Sequence, residues 1–269
     1  MAISGVLGFL GFGTMGKAIA KGLVKTGAVS GEQLLAFDLR TETVKAVEEI
    51  GGAAAGSAAE LAGRSQTVLL APKPQDMEGA LESIAGHLTD ASLAISIVAG
   101  VSIAHIQGLL GVDRRVVRVM PNTPALVGAG AAAIALSPSC TEEDAAVAQE
   151  IFEAVGIAER FPEKALDAVT ALSGSGPAYF FALVEACVKA GVHLGLPEEQ
   201  AARLAGQTLY GAGLLLKESG ESASTLRERV TSKGGTTEAA LACFEERDFE
   251  GTVRAAMEAA ATRSKELGQ

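Results

Sequence analysis

Gly11-Phe12-Gly13-Thr14-Met15-Gly16 has the residue types and the spacing to hold a diphosphate. In such a turn the first glycine permits a sharp reversal and the second lets the backbone approach a pyrophosphate. The third lets the following helix pack close to the preceding strand. N–H groups left unpaired at the helix start, where the helix dipole is positive, then bind the phosphates. Asp38 stands about 20 residues further on, where an acid meets the ribose hydroxyls of a dinucleotide. It also reads as an acid ahead of a helix over residues 41–50. Lys73, set rigidly between Pro72 and Pro74, follows an apolar run and so falls on the edge where open α/β sheets bind ligands. A second loop, Thr231–Thr237, contains Gly234-Gly235, and a helix is expected to begin near Thr236. Converging N–H groups there would hold an anion, although taken alone the loop reads as an ordinary helix N-terminus. The three histidines, His87, His105 and His193, have no recognisable partners, so the strong acid that a ketone reductase needs is not evident.

The elements that must position these residues follow from the apolar pattern. Val6–Leu10, Gln33–Asp38, Thr67–Ala71, Leu93–Ile97, Val116–Val119, Ala131–Leu136 and Ile157–Phe161 read as strands, with Ala53–Ala55 a short addition. Helices follow the first glycine turn, Asp38 and Ser57, and another covers Thr141–Val155. After Pro162 every apolar pattern has helical period: helices start at Pro177 and Pro197, then come Ser224–Val230, one from about Thr236, and one from Asp248 to about Leu267. The change from alternating strand and helix to helix alone divides the chain into residues 1–162 and 163–269. The stretch Ala178–Val192 carries only Glu185 and Lys189 as charges. A helix apolar on most faces must be buried, and the second half is too small to bury several such helices, so a partner copy is expected to cover them.

Composition narrows the partners. Hydrophobic residues make up 48% of the 269-residue chain and aromatic residues only 4%, with no Trp, so the core must be built from Ala, Val, Leu and Ile. A net charge of −10 leaves no basic field for nucleic acid. Cys140, Cys187 and Cys243 show no metal or redox spacing; they read as small buried hydrophobes in a reducing compartment, with no metal bound. The tract Val116–Leu136 contains Arg118, Pro121, Asn122 and Pro124 and is not expected to span a membrane. No basic residue precedes the first apolar run, whose first charge is Lys17, so the N-terminus does not read as a signal peptide. The expectation is a soluble, cytoplasmic protein.

Two segments of the helical half are more specific than the glycine turn. They are Ala168–Phe180, containing Ser173-Gly174-Ser175-Gly176-Pro177, and Leu226–Thr237, ending in Ser232-Lys233-Gly234-Gly235-Thr236-Thr237. With Ala71–Pro74, Ser96–Gly100, Met120–Pro124 and Gly191–Pro197, they make the whole chain resemble the pyrroline-5-carboxylate reductases, which make L-proline. That resemblance implies an N-terminal Rossmann-type, mostly parallel sheet and a C-terminal all-helical dimerisation domain that interleaves with its partner, often within a ring of dimers. It implies coenzyme contacts from Gly11, Phe12, Gly13, Thr14, Met15 and Gly16, from Ala71, Pro72, Lys73 and Pro74, and from Val98, Ala99 and Gly100. Substrate contacts are implied at Ser232, Gly234, Gly235, Thr236, Thr237 and Glu163. Pro72 replaces the usual aliphatic residue and Val98 the usual small one, both where the backbone makes the contact.

The chemistry agrees with that resemblance. A cyclic imine can already carry its proton near neutral pH, so hydride transfer to the imine carbon needs orientation, carboxylate capture and exclusion of water rather than a strong acid. The loop over residues 231–237 suits carboxylate capture, and the Thr237 hydroxyl, as the catalytic group, would reach the ring nitrogen. Asp38-Leu39-Arg40 is less usual and leaves NADPH and NADH open. Asp38 would accept ribose hydroxyls, Arg40 would meet a 2′-phosphate, and both coenzymes are expected to work. Alternatives are a reductase of another cyclic imino acid, a β-hydroxyacid dehydrogenase with Lys189 as its lysine, and a non-catalytic nucleotide sensor.

Overall fold

Five short apolar runs are buried almost throughout because each is covered on both faces, the pattern of strands in a parallel sheet. They are β1 (Leu7–Leu10), β2 (Leu34–Phe37), β4 (Thr67–Leu70), β5 (Leu93–Ser96) and β6 (Val116–Met120), with β3 (Ala53–Ala54) beside β2. In this computed structural model, which describes residues 3–268, they form one eight-stranded sheet in the order β3-β2-β1-β4-β5-β6-β7-β8. The strands from β3 to β6 run parallel. β7 (Gly130–Leu136) is antiparallel to β6, and β8 (Gly156–Arg160) is parallel to β7.

Side-chain alternation along each strand feeds two cores. Leu7, Phe9, Leu69, Ile95 and Val117 join one apolar cluster with Ile19 and Leu23 of α1 (Thr14–Thr26) and Phe152 of α6 (Glu142–Glu153). Leu10, Val68, Leu70, Ala94 and Val116 join the other. There they meet Leu61 of α3 (Ala58–Arg64), Leu81 of α4 (Met77–Glu82) and Ile106 of α5 (Ile103–Leu110). Between β2 and β3 lies α2 (Thr41–Glu48). Cys140, partly buried behind β6, hydrogen-bonds Ser137 and the Val116 carbonyl. Burial pushes its thiol pKa above the ordinary value.

The strands and the long helices fall within a residue or two of their expected limits. α4 and α5 have no forecast counterpart. The expected domain boundary at residues 162/163 does not coincide with the division of contacts. One unit contains the residues up to Ser175 together with those from Ala260 onward; the other is Gly176–Ala259. The reason lies in the segment over residues 163–175, which contains α7 (Leu166–Val169) and a π turn, Thr170–Gly174. Leu166 belongs to the second sheet cluster, and Ala171 is also buried. Asn122 Nδ2 donates to the Ser173 carbonyl at 3.2 Å, and a side chain at Gly174 would strike the Met120 methyl. The tract Val116–Leu136 is β6, a turn and β7. By length and composition alone, the continuous helical run Glu163–His193 could cross a membrane, but Leu166 and Ala171 place its first turns in the sheet core.

The second unit contains α8 (Gly176–His193), α9 (Glu198–Ser219), α10 (Ala223–Arg229), α11 (Thr236–Glu246) and most of α12 (Phe249–Leu267). Helices α8 and α9 pack as a hairpin through Gly195, whose φ of +98° suits glycine. Only Gly176 and Ala201 are buried along these two helices, while Phe180, Phe181 and Leu204 lie open on the isolated chain.

Candidate functional site

The glycine turn sits between the ends of β1 and β4, where the strand order departs in both directions from the sheet's centre. Open α/β sheets bind nucleotides at this crevice. Two of its three glycines meet close backbone neighbours. Gly11 has φ +89°, and a Cβ there would lie 2.6 Å from the Ala71 carbonyl oxygen and 2.8 Å from Pro72 N. Only glycine lets the two loops lie backbone to backbone. A Cβ at Gly13 would meet nothing within 4 Å, so the chain leaves open space above the turn. One at Gly16 would lie 3.1 Å from the Gly11 carbonyl oxygen, the tight helix-to-strand packing expected. Helix α1 starts at Thr14 without a side-chain cap, which leaves its first N–H groups for an anion. The arrangement fits a coenzyme diphosphate.

Two residues of this region take other roles. Phe12 is fully buried in the core, edge-on to Phe9 with ring centroids 5.5 Å apart. Its N–H donates to Asp38 Oδ2 at 2.9 Å, so neither its side chain nor its amide faces a ligand. Asp38 is correspondingly committed. Oδ1 accepts from Arg40 N at 3.0 Å, Arg40 Nε lies 3.6 Å from the same oxygen, and only 12% of the side chain is exposed. These bonds tie the end of β2 to the glycine turn, and each carboxylate oxygen keeps a further lone pair. Arg40 is 67% exposed.

The remaining coenzyme candidates border the same edge. Ala71 N donates to the Leu10 carbonyl, continuing the β1–β4 pairing into the loop. Lys73 is exposed just before a 3₁₀ turn that starts with Pro74. Val98 N lies 3.3 Å from Ser96 Oγ, and Val98 and Gly100 are buried while Ala99 is partly open. Sequence reasoning had given Ser96 no separate role; its hydroxyl orients the turn.

In the second unit α11 begins at Thr236, as expected, with Gly235 as N-cap and no side-chain cap. Gly234 has φ +73°, and a Cβ at Gly235 would lie 2.4 Å from Ser232 Oγ, so this loop shape requires both glycines. Gly235 N bonds the Ser232 carbonyl, while Gly234 N donates to Glu238 Oε2 at 2.7 Å. Ser232, Lys233 and Thr236 are exposed or partly so, and Thr237 belongs to the first turn of the helix. Glu238 had not been singled out; its N3 position in the helix was the available signal.

Glu163 belongs to the sheet unit. Its Oε1 accepts from Ile103 N at 2.8 Å and from Arg118 Nη1 at 3.1 Å. Through that oxygen the carboxylate braces the nearly buried Arg118 and the start of α5, while the Glu163 side chain stays 32% exposed. Among the described residues no cluster of three or more His, Cys, Asp or Glu could hold a metal ion.

Residues 163–267 match the family described as pyrroline-5-carboxylate reductase dimerisation, and residues 6–100 match NADP oxidoreductase coenzyme F420-dependent. The chain is 38% identical to a pyrroline-5-carboxylate reductase of Arabidopsis thaliana over 264 residues, 98% of this chain and 95% of the relative. It resembles the solved pyrroline-5-carboxylate reductase of Coxiella burnetii with TM-score 0.94 and 32% identity, covering 99% of this chain and 100% of that one. The pyrroline carboxylate reductase of Plasmodium falciparum, solved with NADP bound, gives 0.86 at 33% identity, covering 98% of both chains.

Proposed function

The chain belongs to the pyrroline-5-carboxylate reductase family, and from that premise we propose how its residues divide the reaction. It is an NAD(P)H-dependent oxidoreductase that reduces the imine of 1-pyrroline-5-carboxylate to proline, and it assembles as a homodimer through its helical half. The bound coenzyme supplies the hydride. Gly13, Thr14, Met15 and Gly16 present the N-terminus of α1 to its diphosphate, flanked by Ala71–Pro74 and Val98–Gly100. Gly11 shapes the turn, and Phe12 and Asp38 brace it from behind. Arg40, exposed beside Asp38, selects the 2′-phosphate, so NADPH is the preferred coenzyme. Residues 1–162 form the coenzyme domain by function and 163–269 the dimerisation and substrate domain.

The N-terminus of α11 receives the substrate carboxylate. Ser232, Gly234, Gly235 and Thr236 frame it, and Thr237 Oγ1 holds the ring nitrogen while the imine carbon accepts hydride. That nitrogen enters already protonated and leaves as the amine of proline, so no separate acid is required. The observation that carries this assignment is the helix N-terminus without a side-chain cap behind two obligatory glycines. The three cysteines are free thiols, which supports a reducing, cytoplasmic setting.

The test is Thr237→Ala. Removing one hydrogen bond to a charged, desolvated group costs about 1–3 kcal/mol, or roughly 5- to 150-fold in kcat/KM for pyrroline-5-carboxylate. Dimerisation and NADPH affinity should stay unchanged. Wild-type kcat/KM in this variant would remove Thr237 from the site.

A further inference from the structure

The turn Val98–Gly100 runs into α5, and residues far away in sequence hold this segment at both ends. Gly100 has φ +82°, and a Cβ on it would lie 3.0 Å from the Leu267 carbonyl carbon and oxygen. From the other side, a Cβ on Gly268 would lie 2.4 Å from the Gly100 carbonyl oxygen. The last turn of α12 therefore rests on the coenzyme turn with no room for a side chain between them. Close by, Ser264, only 4% exposed, donates its hydroxyl to Asp167 Oδ1 at 2.7 Å and fixes the position of that last turn.

At the other end, α5 starts with N–H groups that need acceptors. Ser102 Oγ takes the His105 amide, and the Ile103 amide goes to Glu163 Oε1. A carboxylate at this place also complements the positive end of the helix dipole. Arg118, 9% exposed in β6, holds the same carboxylate oxygen and leaves Glu163 little freedom to swing away.

We propose that Glu163 and the Leu267–Gly268 turn are positioning residues that clamp residues 98–103 in the conformation that receives the coenzyme. Coenzyme affinity then depends on both ends of the sequence span that begins at Glu163. This rests on the reading of Val98–Gly100 as a coenzyme contact.

Full-length Gly268→Ala, Glu163→Ala and Glu163→Gln test the clamp, with sedimentation confirming that each is folded and dimeric. Amide hydrogen exchange over residues 98–103, without coenzyme, should be about tenfold faster in Gly268→Ala and Glu163→Ala. NADPH Kd, from nicotinamide fluorescence, should rise by about tenfold in both. Glu163→Gln keeps an acceptor oxygen and should recover much of that affinity. For Gly268→Ala, kcat at saturating NADPH should stay within about twofold of wild type, since the variant shifts affinity rather than the reacting groups. Wild-type exchange and Kd in both variants would overturn the clamp. A raised KM for pyrroline-5-carboxylate with unchanged NADPH Kd would return Glu163 to the substrate and also overturn it. The underlying reading is tested separately in the wild type, where NADPH should protect the amides of residues 98–100; absence of that protection would sink the coenzyme contact itself.

Discussion

The two units treat several of their largest side chains in opposite ways. In the sheet unit Phe9, Phe12 and Phe152 are wholly buried, whereas in the helical unit Phe180, Phe181 and Phe244 are 54%, 64% and 46% exposed on the single chain. The first closes its core by itself, because helices cover the sheet on both faces. The second has helices apolar on most of their surface and too few neighbours to cover them, so its fold is completed by a second copy. Site chemistry follows the same division. Coenzyme candidates stand on loops fixed by a finished core, while the loop proposed for the substrate belongs to the unit whose stability depends on assembly.

The most damaging test of that contrast is Phe181→Asp combined with Leu204→Asp. Each dimer would lose four apolar side chains from its buried surface, on the order of 6 kcal/mol or more, which is about four powers of ten in dimer affinity. Sedimentation should show monomers, and reductase turnover should fall by more than about 100-fold. A dimeric and active double variant would break the comparison.

Gly11→Ala probes the self-sufficient unit. A side chain at φ +89° costs about 1–3 kcal/mol, and its Cβ would also strike the Ala71 carbonyl. The turn must move, so NADPH affinity should drop at least about tenfold while the dimer persists. Unaltered NADPH titration would show that the two loops are not held backbone to backbone.

A smaller effect sharpens the coenzyme assignment. Arg40→Ala should raise the KM for NADPH by about tenfold and leave NADH unaffected, since only the phosphate loses a charged partner. Asp38→Ala should weaken both coenzymes alike through the lost Phe12 N–H brace. A change in the NADPH/NADH ratio in Asp38→Ala, rather than in Arg40→Ala, would restore Asp38 to the ribose.

The smallest effect separates the thiols. Burial raises the Cys140 pKa, so its thiolate fraction at about pH 9 lies below that of an ordinary cysteine. Mass spectrometry after alkylation should find Cys140 modified more slowly than an ordinary cysteine in the wild type. Cys187 and Cys243, exposed on the single chain, should be labelled in the monomeric double variant. Labelling of Cys140 as fast as an ordinary cysteine would show that burial does not hold its thiol protonated.

Much of this was legible in the residues. A continuous apolar run such as Val68-Leu69-Leu70, closed by Pro72, reads as a buried strand in a sheet covered on both sides. Gly11 and Gly16 sit where two separate steric demands fall. α4 and α5 were not legible: α4 runs straight on from a 3₁₀ turn with no side-chain cap to mark its start, and α5, with Ile103, Ala104, Ile106, Leu109 and Leu110 in eight residues, has no clear polar face. Nor could spacing separate Asp38 as ribose acceptor from Asp38 as brace, since both require an acid at the end of β2.

The sequence alone therefore determined the order of the strands, the glycine turns and the need for a second copy, all consequences of local sterics and apolar periodicity. The tertiary structure decided where long-range partners go. It gave Asp38 to the Phe12 amide, Glu163 to Arg118 and Ile103, and the last turn of α12 to Gly100. It also placed residues 163–175 in contact with the sheet, so that contacts divide after Ser175. A charged or backbone group takes whichever partner the folded chain brings within hydrogen-bonding distance, and that proximity is set by packing between elements rather than by spacing along one of them.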